Sequence, residues 1–238
     1  MRSRGIVLAL LTLIGVLLTA SLGAWQLDRA AQKRSLQQSL TERAQMPLLA
    51  LADLPGSGSL EPWLHRRLSL RGHWQNERSV YLDNRTMDGR VGFFVLTPFL
   101  LQGRTDAVLV QRGWLPRDAM DRTRLAALPV AGGEQRIDGL IAATPSRLFE
   151  LGRSEGGLIR QNLAVAGFSQ EIGVALQPFV LLQTGSDVSD GLARHWSAPA
   201  VDIHKHYGYA FQWFALSALQ LGLYVWFQVI RPRRTCRA

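Results

Sequence analysis

Two histidines, His204 and His206, stand just before the last apolar run of this 238-residue chain. Imidazole is the side chain best suited to hold a metal or a haem iron. At i and i+2 on a helix the two rings point about 160° apart, so they do not readily share one ion. One of them alone can serve as an axial ligand to haem iron; the competing reading is an interfacial histidine with no ligand. His65 and His73 fall in a strand-like region and His195 in a loop, where structural or surface roles suffice. A second group of candidates is cationic: Gln26, Arg29 and Lys33 share a helix face at i, i+3 and i+7. Their stems can snorkel to lipid headgroups, or their charges can receive carboxylates of a ligand or partner. The third group is Arg112-Gly-Trp-Leu-Pro116. A strand is predicted to end at Gln111, with Gly113 and Pro116 marking a turn that presents Arg112 and Trp114. Such a pair can grip a planar anion by stacking and ion pairing. A core tryptophan beneath a tight turn accounts for the same residues.

Other chemistry lacks its residues. The sequence contains no GxSxG, HExxH, GxxxxGK[ST] or GxGxxG, so the common nucleophile, zinc and phosphate signatures are missing. The carboxylates are scattered, with no close pair for glycosidase-like work. A single cysteine, Cys236, supports no disulfide framework, CxxC redox site or thiolate zinc site. These absences point away from an enzyme. The net charge of +9 suggests nucleic acid until it is located. Arg2, Arg4, Arg231, Arg233, Arg234 and Arg237 lie outside the apolar runs, whereas all 18 acidic residues lie between them. The excess therefore reads as membrane topology, and no nucleic-acid partner is expected.

The elements that must position these residues are two apolar runs and a strand-rich middle. Residues 6–25 and 209–230 are each long enough, at roughly twenty residues, to cross a bilayer as a helix. A cleaved signal peptide would have a shorter apolar core and an A-x-A-like end, which Leu22-Gly-Ala24 matches poorly, so an uncleaved anchor is expected. Gly15, Thr19 and Gly23 form a small-xxx-small face that a second helix can approach; small residues common to membrane helices are the alternative. On the last run His206, Ala210, Trp213, Ser217, Gln220, Tyr224 and Gln228 fall within roughly 40° of one line. Hydrocarbon does not select such a polar stripe, so it is expected to face protein or ligand.

After Trp25 helical character continues through Arg34, and residues 47–61, containing Pro55-Gly-Ser-Gly-Ser, break it. Beyond Arg66 the period changes to two. Strands are predicted at 67–71, 79–82, 93–97, 107–110, 135–141 and 179–183, with one amphipathic helix over 163–176. The fold class expected is an α+β membrane protein: two transmembrane helices flanking an extracytoplasmic antiparallel β barrel or sandwich with one helix. The expected segments are a cytoplasmic 1–5, a span at 6–25, a periplasmic β-rich domain at 26–205, a span at 206–230 with its histidine at the outer face, and a basic cytoplasmic tail at 231–238.

Taken together, Gly23-x-Trp25-Gln26-x-x-Arg29-x-x-x-Lys33, Tyr81-Leu-Asp-Asn-Arg85, Gly89-x-x-Gly92-Phe, Leu96-Thr-Pro98, Val110-Gln-Arg-Gly-Trp-Leu-Pro116 and His206-x-x-Tyr209-Ala-x-Gln-Trp213-Phe form an ordered set. In order and spacing the set resembles the surfeit locus protein 1 family of cytochrome c oxidase assembly factors, over nearly the whole chain. The resemblance implies a two-span inner-membrane protein that helps mature the haem-copper oxidase and binds or delivers haem a as cargo. The family histidine at the head of the second span corresponds to His206, the expected iron ligand. Trp213 then belongs to the cofactor wall, and Arg29, Lys33, Arg112 and Trp114 are further candidates around the propionates and ring. The implied partners are membrane lipid and the haem-carrying oxidase subunit; a haem-free scaffold for such a subunit is the other possibility. This chain departs from the family's Asn-His-Leu with Lys205-His-Tyr207, and the 148–157 loop has no counterpart.

Overall fold

The computed structural model describes residues 2–54, 58–118, 120–121, 124–125, 132–149, 156–185, 190–196 and 203–231. Most of the basic tail, Cys236 and much of the 148–157 loop lie outside the described residues. The chain divides into two compact units, Met1–Ser39 with Ala198–Ala238, and Leu40–Ser197.

The first unit is a helix pair. Helix α1 spans Arg2–Gln45, and Pro47 with its missing N–H lies just past its end. Residues 26–45, grouped with the β-rich domain on sequence alone, are therefore helical. Helix α3 covers Ile203–Val225 and continues as a π-helical turn, Trp226–Ile230. Both helices are long and apolar enough to cross a membrane. Their outward faces expose Leu10, Leu17, Phe211 and Leu219 among others, which suits a hydrocarbon solvent far better than water.

The inward faces are regular. On α1 the less exposed residues run Ala9, Thr12, Val16, Thr19, Gly23, Gln26, Ala30 and Lys33; on α3 they run His206, Ala210, Trp213, Ser217, Gln220 and Tyr224. Both series step by three and four, the spacing of side-by-side helices packed knobs-into-holes. The small residues expected at such a seam do receive the second helix. A Cβ on Gly23 would stand 2.8 Å from the Phe214 ring, and one on Gly15 2.7 Å from Gln220 Oε1. Thr19 and Ala30 are buried in the same seam. Gln228 leaves the expected stripe and is exposed, because the wider π turn breaks the 100° spacing there.

The second unit is built on strands β1 Leu49–Ala50, β2 Arg67–Trp74, β3 Val80–Met87, β4 Arg90–Leu101, β5 Ala107–Pro116, β6 Gln135–Ala142, β7 Ile159–Arg160 and β8 Leu176–Gln183, with helix α2 at Val165–Ile172 before β8. The sheet order is β1-β2-β6-β8-β5-β4-β3-β7, and β4 pairs back onto β2. Strands β2, β6, β8, β5 and β4 thereby close into a barrel. Closure brings β2 hard against β4: a Cβ on Gly72 would stand 1.9 Å from the Leu100 carbonyl oxygen, so only glycine fits at the crossing.

The expected antiparallel sheet is in fact mixed. Short loops make antiparallel neighbours, as at the Asp88-Gly89 hairpin, where φ is +50° and +74°. Long excursions instead return β8 parallel to β5, β1 parallel to β2 and β7 parallel to β3. Strand β5 is buried on both faces from Ala107 to Leu115. Val108 and Val110 fill the barrel with Phe99, Ile141 and Phe179, and Leu109 packs under α2 with Phe168 and Leu82. Gly173, at φ +65°, ends α2 in the left-handed region.

Candidate functional site

His206 enters the seam because it lies one turn before Ala210, the buried point of α3. Its Nδ1 lies 2.6 Å from Gln26 Oε1 on α1. An amide oxygen only accepts, so Nδ1 carries the hydrogen of this bond, and in the neutral ring Nε2 keeps its lone pair. The ring is thus oriented by a neighbouring side chain and has one basic nitrogen left for a ligand, as in sites where an outer partner fixes an imidazole ligand. His204, two residues earlier, is exposed. Trp213, two turns further along, is half-buried beside the same seam.

The cations on α1 separate. Lys33 stays on the seam face, seven residues or about 10 Å along the axis beyond Gln26, and makes no hydrogen bond or ion pair among the described residues. Arg29 is exposed; its guanidinium donates to Gln32 Oε1 at 3.0 Å and lies over the Trp25 ring at 5.8 Å. A further contact was not foreseen in the sequence. Arg34 Nη2 donates to the Tyr207 hydroxyl at 2.6 Å and its guanidinium covers the ring, clamping the same end of the helix pair. An arginine at i+8 from Gln26 was the only signal for it. Lower in the seam, the Ser217 hydroxyl donates to the Val16 carbonyl at 3.3 Å. The stripe of α3 is therefore covered by α1 at Ala210, Ser217 and Gln220, whereas His206 and Trp213 stay half-buried.

Arg112 and Trp114 belong to the β unit, and no turn presents them. Strand β5 runs on to Pro116, with Arg112 2% and Trp114 5% exposed. The glycine that suggested a turn marks a β-bulge: Val95 faces Gly113 while Leu96 faces Gln111, leaving Arg112 as the extra residue. Bulging turns the guanidinium inward, 4.3 Å from the Trp74 ring centre, donating to Asn76 Oδ1 at 2.9 Å and 3.8 Å from Asp190. Burial pushes its pKa down, and Asp190 opposes that shift. Burial likewise raises the Tyr81 phenol. Trp114 lies against Gly92, whose missing Cβ would stand 2.6 Å from the indole, and its Nε1 donates to the Arg85 carbonyl at 2.9 Å. Trp114 is thus the core tryptophan, with no role as a presented stacking platform.

A second bulge lies opposite. Between Leu82 and Arg85 the β3–β4 register shifts, with Asn84 at φ +59°. It turns Arg85 inward, 2% exposed, while Asp83, two residues earlier on β3, binds Arg117 at 2.7 Å. The motifs Tyr81–Arg85, Gly92 and Val110–Pro116 are therefore two bulged strand segments locked together through Trp114. Among the described residues no group of histidine, cysteine and carboxylate side chains is arranged to hold a metal ion.

The fold and this site define a class: two long apolar helices paired through polar seams, enclosing in sequence a small bulged barrel, with an oriented imidazole at one end of the pair. The profile of the SURF1 family matches residues 13–218, and the chain belongs to that family. It is 24% identical over 223 residues to a SURF1-like protein of Rickettsia bellii (strain RML369-C), a match covering 90% of this chain and 88% of that protein. It is 32% identical over 120 residues to Surfeit locus protein 1 of Arabidopsis thaliana, covering 46% of this chain and 34% of that one. Over 97 residues it is 27% identical to the cytochrome oxidase assembly protein SHY1 of Saccharomyces cerevisiae, covering 41% of this chain and 25% of the yeast protein. The matched part is thus about a third of the Arabidopsis relative's length and a quarter of the yeast one's.

Proposed function

We propose that this chain is a non-enzymatic assembly factor for a haem-copper (cytochrome c) oxidase, which holds or hands over haem a at the outer membrane face through His206. Both termini are then cytoplasmic and the β unit periplasmic, because the basic flanks lie at the two ends of the sequence. The kinship with a cytochrome oxidase assembly protein supports the oxidase role. The observation that carries the haem reading is the His206–Gln26 hydrogen bond, which orients the ring and leaves Nε2 as the donor an iron centre requires. Trp213 supplies an aromatic wall, and Lys33 and Arg29 are the cations available to propionates; Arg112 and Trp114 are buried and drop out of the site. Haem a is cargo here, so the protein's part is to bind, orient and release it. The partner is the oxidase subunit that receives the haem, reached within the lipid.

The test is the absorption spectrum of detergent-purified protein from cells that make haem a. A Soret band is expected, largely lost in His206→Ala and retained in His204→Ala, whose ring faces away from the seam. Equal loss in both variants, or none in either, overturns the ligand assignment. A periplasm-dependent reporter should work when fused within residues 118–124 and fail at Ala238; the reverse overturns the orientation. A haem-free scaffold is favoured by one observation: Ser217 and Gln220 are already turned to the first helix. A colourless protein that still co-purifies with the oxidase subunit would establish that reading instead.

A further inference from the structure

Beside the second bulge lies a cavity of about 380 Å³, lined by Arg85, Phe94, Gln111, Ser146, Leu182 and Trp196 among others. All of it belongs to the β unit. Among the described residues Arg85 has no carboxylate in hydrogen-bond contact. Its Nη2 donates to the carbonyls of Ser146 and Gln161 at 3.0 and 2.6 Å and to Asn162 Oδ1 at 3.4 Å, and neighbouring Asp83 is engaged by Arg117. Among the described residues Nε and Nη1 of Arg85 are buried without a partner, and so is Gln111 Oε1. Both residues are 2% exposed. A buried guanidinium without a counter-ion is costly, and an unpaired buried acceptor adds to that cost. Burial indeed lowers the Arg85 pKa, with only Asp83 opposing. The rest of the wall is mixed: Asn84, Thr86, Thr144 and Ser146 line one part of it, and Phe94, Leu182 and Trp196 form an apolar part. There Phe94 and Trp196 meet edge to face at 5.4 Å, and the Trp196 indole is held by the Gln183 carbonyl at 2.7 Å.

We propose that this cavity is a second binding site, which takes a carboxylate carried on an apolar body together with a hydrogen-bond donor. The carboxylate answers Arg85, the donor answers Gln111 Oε1, and the apolar body fills the space against Phe94, Leu182 and Trp196. Two sources share this chemistry: the carboxyl-terminal residue of a peptide, with its N–H and apolar side chain, and a small N-acylated apolar amino acid. The site stands independently of the haem reading, since it uses none of the helix-pair residues. The β-bulge explains why the arginine is there. Bulges re-aim side chains beside binding sites, and Asn84 holds a left-handed φ that a non-glycine residue adopts at a cost.

The test titrates the full-length protein in detergent by calorimetry with three probes: N-acetyl-leucine, N-acetyl-leucinamide and a five-residue peptide ending in leucine with a free carboxylate. Saturable binding is expected for a carboxylate probe, weakened about tenfold or more when the carboxylate becomes an amide. Equal affinity of peptide and free acid identifies a small-acid site, and binding of the peptide alone identifies a chain-end site; both uphold the shared chemistry. Arg85 also ties down its neighbours, so Gln111→Leu serves as the variant that keeps the fold. It should weaken carboxylate binding about fivefold or more while leaving the melting temperature unchanged or raised, because an orphaned buried acceptor is removed. No saturable binding by any probe, equal binding of acid and amide, or indifference to Gln111→Leu each overturns the proposal.

Discussion

In the helix pair, polar side chains occupy one stripe on each helix and meet across it: His206 with Gln26, Ser217 with the Val16 carbonyl, Tyr207 with Arg34. In the β unit, charged side chains break the alternation of their strands: Arg85 and Arg112 are turned into the interior by two bulges and lie nearly fully buried. The same need, to keep polar groups paired away from water, is answered by periodicity in one region and by interruption of periodicity in the other. A helix has a fixed angle per residue, so its partner face is written at regular intervals. A sheet can re-aim a side chain only by adding a residue to one strand, so its polar contacts stand where the pattern fails.

The sharpest way to break this contrast is Trp114→Ala. The indole fills the gap over Gly92 and binds the Arg85 carbonyl, joining both bulges. Its loss should cost about 3–5 kcal/mol in denaturant unfolding of the β unit, and a cost well below that would mean the bulges hold without it. Next in size is Gly23→Leu, which drives a side chain into the Phe214 ring. It should destabilise the helix pair by about 1–3 kcal/mol in detergent titration, and adding Phe214→Ala should recover part of the loss. Simple additivity of the two changes would show that they do not meet. Ser217→Ala removes one interhelical bond and should cost about 0.6 kcal/mol; a neutral result would make the seam a matter of packing alone.

The smallest effect concerns the rim of the β unit. The hydrogen bond from Arg104, with help from Gln177, holds the Asp106 carboxyl below its ordinary value of 3.8. A lowered folded-state pKa contributes stability that is complete above the unfolded value and is lost as pH falls through the folded one. Stability should therefore decline below about pH 4 with a slope that Asp106→Asn makes shallower. An unchanged slope would remove the pair from the acid response.

Much of the helix pair was legible in the chain. Uncharged runs of spanning length, the Gly15–Thr19–Gly23 face and the stripe from His206 to Tyr224 all depend on local composition and a constant helical step, and each is found where the period puts it. Gln228 is the exception, because a π turn changes the step. The positions of the six main strands were legible too, though all but β6 run several residues further at one or both ends. Their partners were not. Parallel pairing of β5 with β8 joins residues some seventy apart in sequence and leaves no local trace.

What the sequence by itself determined is the main elements, though not the short strands β1 and β7, together with the polar seam and His206 as the imidazole at its end, since all three follow from residue type and short-range spacing. Only the tertiary structure decided that Arg112 and Trp114 face inward, that Gly72 and Gly92 are required by a crossing strand and an indole, that Gln26 is the residue orienting His206, and that Arg85, beside a cavity, keeps two nitrogens without a partner among the described residues. Each of these depends on a neighbour far along the chain. A glycine reads alike at a turn and at a bulge until the strand opposite is known.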